Sequence, residues 1–160
     1  MSLEYKSTEV YLQPDVRYRS VLVSKMINCL MHKGKKSVAE KLVYQAMDHL
    51  KTRFEDKEPL EILETAINNV KPLVEVKSRR VGGATYQVPI EVSKKRQMSL
   101  AIRWMIEAVR NKKGKAAYLK FADEISDAYK RQGVSVTKRE NTHKMAEANK
   151  AFAHFGWSRY

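Results

Sequence analysis

Apolar residues recur every three or four positions along most of this chain, which is the spacing of amphipathic α-helices. Residues that favour helix starts and stops divide the pattern into six helices. The first covers about residues 16–31 and ends before Gly34. The second opens on an S-x-x-E capping box that begins at Ser37, and the third starts at Pro59 and stops before Pro72.

Three more helices follow after a non-helical interval. The fourth covers about residues 94–113, and its broad apolar arc predicts a central place in the packing. The fifth carries an apolar face over residues 118–129 and ends near Gly133. The last begins at a second capping box, which starts at Thr137, and runs to about Phe155. No linker or repeat divides the 160 residues, so we predict a single, mainly α domain whose segments 1–14 and 156–160 are possible flexible tails.

The interval at residues 74–92, VEVKSRRVGGATYQVPIEV, predicts a β-hairpin between the third and fourth helices, with Gly82 and Gly83 in the turn. A two-residue loop would pair Val81 with Ala84 and mix charged with apolar residues on both faces. A three-residue loop would instead collect Val74, Val76, Val88, Ile90 and Val92 on one face. Because burial of the apolar set decides the register, the three-residue loop is the predicted one.

The charge of the chain indicates a polyanionic partner. The formal net charge is +13, and residues 71–120 hold thirteen Lys or Arg against three Asp or Glu, whereas residues 40–70 are net acidic. A local excess of this kind is typical of a binding face for nucleic acid. Lys94, Lys95 and Arg96 strengthen this interpretation, because cations in the first turn of a helix oppose its dipole unless phosphates approach.

Other short patterns are weaker. The loop before the second helix reads Gly34-Lys35-Lys36-Ser37, which lacks the first glycine of a P-loop and so predicts lysines for phosphate and no nucleotide site. Trp104 is predicted to lie in the core, and Tyr86 is either a stacking platform for bases or part of the packing. Cys29, among apolar neighbours, is predicted to be a small buried residue.

The sequence offers no constellation for catalysis. Cysteine, histidine and acidic residues lack metal-ligand spacing, and no nucleophile motif or dinucleotide loop is present. We therefore expect no enzyme activity, no cofactor, no metal and no small-molecule substrate. No apolar run is long enough to span a bilayer, so a membrane partner is not expected either.

Three long stretches carry a resemblance to a known family: VEVKSRRVGGATYQVPIEV at 74–92, LAIRWMIEAVR at 100–110 and KRENTHKMAEANKAFAHF at 138–155. They resemble the small-subunit ribosomal protein seven family of bacteria and organelles, and the likeness extends over about residues 12–157. The resemblance implies six helices with a hairpin between the third and fourth. It also implies a primary binder of the 3′ major domain of small-subunit rRNA that nucleates head assembly, near the exit-site tRNA, the mRNA path and neighbouring ribosomal proteins.

Carried over by position, the resemblance assigns two sets of residues. The implied rRNA contacts are Lys33, Lys35, Lys36, Lys77, Arg79, Arg80, Gly82, Gly83, Lys94, Lys95, Arg96, Arg110, Lys112, Lys113 and Lys115. The residues implied to lie near tRNA and message are Tyr86, His143, Lys144, Asn149 and Lys150. The acidic start of the chain, where family members often carry a basic segment, departs from the pattern.

These observations together predict a non-enzymatic structural protein of the small ribosomal subunit, located in the cytoplasm or in an organelle. One rival is an architectural DNA-binding protein that inserts the hairpin into a groove. Such proteins usually present a symmetric pair of arms and therefore require a dimer.

Overall fold

The computed structural model describes residues 8–156, with side chains from residue 10 onward. Within these residues the fold is mainly helical, with one antiparallel β-hairpin between the third and fourth α-helices, as the sequence predicts. The α-helices are α1 (Val21–Leu30), α2 (Lys36–Arg53), α3 (Pro59–Val70), α4 (Lys94–Asn111), α5 (Ala117–Tyr129) and α6 (Val134–Ala148). The strands are β1 (Val74–Val81) and β2 (Ala84–Glu91), and short 3₁₀ helices cover Thr8–Tyr11 and Lys150–Gly156.

The core is helical, and α5 lies at its centre. This helix packs against α2, α3 and α4 and buries Phe121 and Ile125 completely. From α4, Ile102 and Met105 are also fully buried, and Trp104 is 8% exposed, which confirms its predicted core position. The broad apolar arc of α4 therefore marks a helix that is covered by its neighbours over most of its length.

The first helix begins later than predicted, at Val21 instead of near residue 16. Asp15 is 7% exposed, and its carboxylate accepts hydrogen bonds from the backbone N–H groups of Arg17 at 3.0 Å and Tyr18 at 2.9 Å. An aspartate bonded to the backbone of following residues favours a turn over a helix. Val16 is 94% exposed, so its place in the periodic pattern is accidental.

Both predicted capping boxes are wrong, because each helix begins before the residue assigned as its cap. α2 starts at Lys36 and α6 at Val134, so Ser37 and Thr137 lie inside the first turns. Thr137 Oγ1 donates to the carbonyl oxygen of Gly133 at 2.9 Å instead of accepting from the backbone. Gly133, with φ 93°, supplies the backbone turn from which α6 starts.

The last helix is shorter than predicted. α6 ends at Ala148, where Asn149 Nδ2 donates to the Met145 carbonyl oxygen at 2.8 Å, and the chain continues as the C-terminal 3₁₀ helix (Lys150–Gly156). This segment packs against β2. The chain thus changes from α to 3₁₀ geometry where it passes from α6 onto β2 of the hairpin.

A buried carboxylate joins three helices. Glu124 on α5 is fully buried, and its Oε1 accepts hydrogen bonds from Ser135 N at 3.0 Å and Ser135 Oγ at 2.6 Å at the start of α6. Its Oε2 lies 2.7 Å from Lys112 Nζ, at the end of α4. Here a cation and hydrogen bonds together offset the hydration that the buried carboxylate has lost. Lys112, predicted as an rRNA contact, therefore has a structural partner inside the protein.

We expect Lys112→Gln to lower the free energy of unfolding by about 1–3 kcal/mol, because the buried carboxylate loses its neutralising cation. Urea denaturation monitored by circular dichroism measures the difference. The matched control is Lys113→Gln, which removes an exposed cation that has no partner among the described residues and should leave stability within about 0.5 kcal/mol. Equal losses in both variants would contradict the structural role of Lys112.

Candidate nucleic-acid interface

The hairpin has a two-residue turn, and the predicted three-residue loop is wrong. Val81 pairs with Ala84 and Arg79 with Tyr86. Gly82 and Gly83 have φ values of 57° and 86°, and two successive positive φ values are what a type I′ hairpin turn requires. Each face of the hairpin consequently mixes charged and apolar residues, with Tyr86, Val88 and Ile90 from β2 on one of them.

The C-terminal 3₁₀ helix packs on this mixed face and covers its apolar residues. The Tyr86 ring lies 5.3 Å from the ring of Phe152 and 4.9 Å from that of Phe155, centroid to centroid. Arg79 Nη1 donates to the carbonyl oxygen of Phe155 at 3.0 Å, and Val88 is completely buried. Tyr86 is thus part of the packing, and its ring is engaged with two phenylalanines.

A bidentate ion pair ties the base of the hairpin to α4. Arg96 Nε lies 2.7 Å from Glu75 Oε1, and Arg96 Nη2 lies 2.9 Å from Glu75 Oε2. Glu75 is 8% exposed, and the hydrogen bonds from Arg96 hold its pKa below the usual value. Lys77 Nζ lies 3.7 Å from the same carboxylate. Arg96 is therefore not an unopposed cation at a helix start, which corrects that part of the sequence argument.

Other predicted cations remain exposed, with no side-chain partner among residues 10–156. They come from the loop before α2, from the tip of the hairpin, from the start of α4 and from the segment after it. This set consists of Lys33, Lys35, Lys36, Arg80, Lys94 and Lys113. Neither α2 nor α4 has an acidic residue in its first turn or a side chain bonded to its N-terminal backbone. Lys95 is also exposed at the start of α4.

Some of the basic residues between α4 and α5 already have partners within the protein. Lys115 Nζ lies 3.0 Å from Asp123 Oδ2, and Arg53 pairs with the same carboxylate at 2.6 Å. Burial would raise the pKa of Asp123, but the hydrogen bonds from Lys115 and Arg53 outweigh it and lower the pKa. Arg110 Nη2 donates to the Leu30 carbonyl oxygen at 3.3 Å, at the end of α1. Lys115 and Arg110 thus combine structural contacts with partial exposure.

The residues implied to lie near tRNA and message fall into two groups. Lys144 and Lys150 are exposed on α6 and the C-terminal 3₁₀ helix. His143 and Asn149 have local roles, because His143 Nε2 accepts a hydrogen bond from Leu73 N at 3.0 Å and Asn149 bonds to the end of α6. Burial and then the charge of Arg139 lower the pKa of His143. The neutral ring, protonated on Nδ1, therefore holds the backbone at Leu73, the residue before β1, by this hydrogen bond.

Sequence reasoning missed two exposed or half-exposed cations that lie beside the predicted ones. Arg103 projects from the exposed side of α4, about two helical turns from both Arg96 and Arg110. Lys120 on α5 lines the same cleft as Lys33, Lys35 and Arg110, and its Nζ donates to the Lys112 carbonyl oxygen at 2.8 Å. The apolar spacing of α4 could have identified Arg103, whereas the position of Lys120 depends on how α5 packs.

Among the described residues we find neither a cluster of metal ligands nor a membrane-spanning helix. Residues 8–156 contain no group of three or more His, Cys, Asp or Glu side chains placed to hold a metal ion. Over the same residues no helix combines the length and apolarity needed to cross a bilayer. Cys29 is exposed, and its predicted burial is wrong because it lies on the outer side of α1. Partial desolvation raises the pKa of its thiol.

The fold and this surface define the class of protein: a helical scaffold that displays unpaired cations on a braced hairpin, a loop and helix starts, as polyanion-binding proteins do. A family profile described as "Ribosomal protein S7p/S5e" matches residues 2–150. The chain is 54% identical over 152 residues to the "Small ribosomal subunit protein uS7" of Rhodopirellula baltica, covering 94% of this chain and 97% of that one. It is 50% identical to the protein of the same name from Pelagibacter ubique, over 98% of this chain and the whole of the other.

This chain therefore belongs to the ribosomal protein S7p/S5e family. Membership makes it a structural, non-enzymatic component of the small ribosomal subunit in the cytoplasm. A similar protein from Thermosipho africanus, 56% identical over 144 residues, covers 90% of this chain and 92% of its own.

We expect Arg96→Gln to lower the free energy of unfolding by about 1 kcal/mol, because Glu75 loses its bidentate partner while solvent screens the exposed end of the pair. The folded pKa of Glu75 is lowered, so the pair stabilises the protein above pH 4.5, the unfolded value, and this stabilisation disappears as the pH falls through the folded pKa. Urea titrations should show the two proteins converging in acid. The matched control Lys94→Gln should match the unsubstituted protein at every pH.

A second pH effect should arise from His143. Its lowered pKa means that the hydrogen bond from Leu73 N is present above pH 6.5 and is lost as the pH falls through the folded pKa. We expect the free energy of unfolding to decrease from pH 7.5 to pH 5.5, and His143→Gln, which keeps an acceptor that does not titrate, to reduce this decrease. His32→Gln, at an exposed position, should leave it unchanged. An unaltered pH profile in His143→Gln would refute the assignment.

Proposed function

We propose that this protein is a primary binder of small-subunit rRNA that contacts the 3′ major domain and nucleates assembly of the head. The relatives named above are small-subunit ribosomal proteins, which supports an RNA partner of this kind. In this proposal the rRNA-contacting residues are the exposed cations of the loop, the hairpin and α4. Neighbouring ribosomal proteins are further partners.

The observation that carries the proposal is the group of cations left without acidic partners. Lys35 and Lys36 lie at the start of α2, Lys94 lies at the start of α4, and Arg80 lies near the hairpin turn. Neither helix start is capped by a side chain, so its free N–H groups and its lysines favour the same anion. A stable free protein gains little from this arrangement, whereas a phosphate backbone satisfies both groups at once.

The mechanism of binding is electrostatic and geometric. Each phosphate contact releases counterions, so the logarithm of the affinity falls with the logarithm of salt concentration by about 0.7–0.9 per contact. The deep groove of A-form RNA excludes side chains, so specificity comes from the shape of a folded junction. The hairpin suits this role because Arg96 fixes its base and the C-terminal 3₁₀ helix fixes one face.

The position near exit-site tRNA and the mRNA path is also part of the proposal. Lys144 and Lys150 are exposed, and the hairpin tip carries Gly82 and Gly83 with open space around both. A tip without side chains allows close approach to a backbone. In this proposal Tyr86 and His143 act indirectly, since their contacts within the protein hold the hairpin. The rival architectural DNA-binding role is not favoured, given the family membership.

We expect Arg80→Glu combined with Lys94→Glu to weaken binding to a 3′ major domain rRNA fragment at least tenfold, about 1.4 kcal/mol. The salt dependence should also become shallower, by about 0.7–0.9 for each lost phosphate contact. Filter binding at several salt concentrations measures both quantities, and circular dichroism checks the fold.

The control for charge is Lys41→Glu combined with Lys51→Glu, which changes the net charge equally at two exposed positions on α2. These lysines lie within the acidic part of the sequence, and their reversal should reduce the affinity much less. Equal losses in the two double variants would mean that only overall charge matters. Unchanged binding in the Arg80 and Lys94 variant would overturn the proposed interface.

A further inference from the structure

A cleft of about 410 Å³ lies between the loop before α2, the end of α4 and the start of α5. Its volume is within the range of about 300–1,000 Å³ found for small-molecule sites. The predicted phosphate contacts Lys33 and Lys35 lie at this cleft, but phosphate binding alone requires only an exposed cation. The apolar interior therefore remains to be explained.

The walls of the cleft are apolar. They include Leu30 from the end of α1, Val38 and Leu42 from α2, and Val109 from α4. Val109 is buried and Leu30 and Leu42 are half-buried, whereas Val38 is 59% exposed in the first turn of α2. These side chains form a recess that water fills poorly and that a flat, weakly polar group could fill well.

The rim of the cleft is cationic. Lys33, Lys35, Arg110 and Lys120 line it, and no acidic side chain does so among the described residues. The Arg110 and Lys120 side chains are held in place by bonds to the Leu30 and Lys112 carbonyl oxygens, and both retain further N–H donors. Two neighbouring clefts differ, since Glu107 lines one and Asp123 and Asp127 line the other.

We propose that this cleft receives one unstacked nucleotide of the rRNA, with its base against the apolar walls and its flanking phosphates on the cationic rim. The inference rests on the proposed rRNA binding and adds a base-contacting site to it. An extruded base has apolar faces and is joined on both sides to phosphates, so it matches an apolar recess whose lining carries cations and no acidic side chain. The planar Arg110 guanidinium at the rim can also stack on such a base.

The test first identifies the nucleotide and then removes its base. A photoreactive amino acid in place of Ala117, an exposed residue that lines the cleft, is crosslinked to the 3′ major domain fragment, and the linked nucleotide is mapped. A fragment with an abasic sugar at that nucleotide is then compared with the intact fragment. For the unsubstituted protein we expect about a tenfold loss of affinity, within the range typical of one stacked base.

The cleft is then blocked from the protein side by Val38→Trp, which adds bulk at an exposed wall residue and leaves the core unchanged. This variant should bind the intact fragment about tenfold more weakly and should no longer distinguish it from the abasic fragment, as a double-mutant cycle between base and cleft requires. The control Val21→Trp, at an exposed valine in the first turn of α1, should keep the full discrimination.

Each outcome decides the question. The base site is supported if Val38→Trp no longer distinguishes the intact from the abasic fragment while Val21→Trp still does. Equal binding of intact and abasic RNA by the unsubstituted protein, with rRNA binding retained, overturns the base site and leaves the proposed function standing. Failure of the unsubstituted protein to bind the fragment overturns both. Crosslinks from position 117 to a neighbouring ribosomal protein in assembled subunits, with none to RNA, would assign the cleft to a peptide and overturn the nucleotide site.

Discussion

The buried carboxylates beside the basic clusters of this protein, Glu124 and Glu75, are each neutralised by a cation, and this pairing decides which of the neighbouring basic residues remain free. Glu124 takes Lys112, and Glu75 takes Arg96. Asp123, partly buried, takes Arg53 and Lys115. The loss of hydration inside a protein makes an unpaired carboxylate far more costly than an unpaired surface lysine. Cations close to these acids are therefore paired inside the protein. The remaining cations form the surface that a polyanion can bind.

This selection explains why runs of basic residues in the sequence do not act as units. Lys112, Lys113 and Lys115 are close together in the chain, yet Lys112 and Lys115 have acidic partners and Lys113 has none among the described residues. Lys94 and Arg96 differ in the same way at the start of α4. Sequence alone counted the charges correctly, but pairing depends on α5 and β1, which contact these residues only after folding. Thus the location of the basic surface was predictable, and the role of each cation in it was not.

The fold was predictable where local patterns agree with packing. Six helices and an intervening hairpin follow from apolar spacing, glycine and proline, and Pro59 indeed begins α3. The predictions are wrong where the local structure depends on contacts with a segment that is distant in the sequence. The predicted hairpin register assumes that the hairpin collects its own apolar face, whereas Phe152 and Phe155 supply the missing cover from 66 and 69 positions after Tyr86. The two capping boxes failed because the helix-start geometry of Gly133 and Lys35 took precedence over a side-chain motif.

Within one element, some residues consequently anchor the backbone and others carry the unpaired charge. On β1, Glu75 is fixed to α4 and Arg79 to the C-terminal 3₁₀ helix, while Arg80, one residue further, is exposed. The free cation thus follows directly on a strand that is anchored at two positions, and little conformational entropy of the backbone remains to be lost when a phosphate binds. A flexible basic tail with the same charge would have to lose that entropy on binding. The internal ion pairs remove some cations from the surface. They also lower the entropy that the backbone of the remaining cations loses when a phosphate binds.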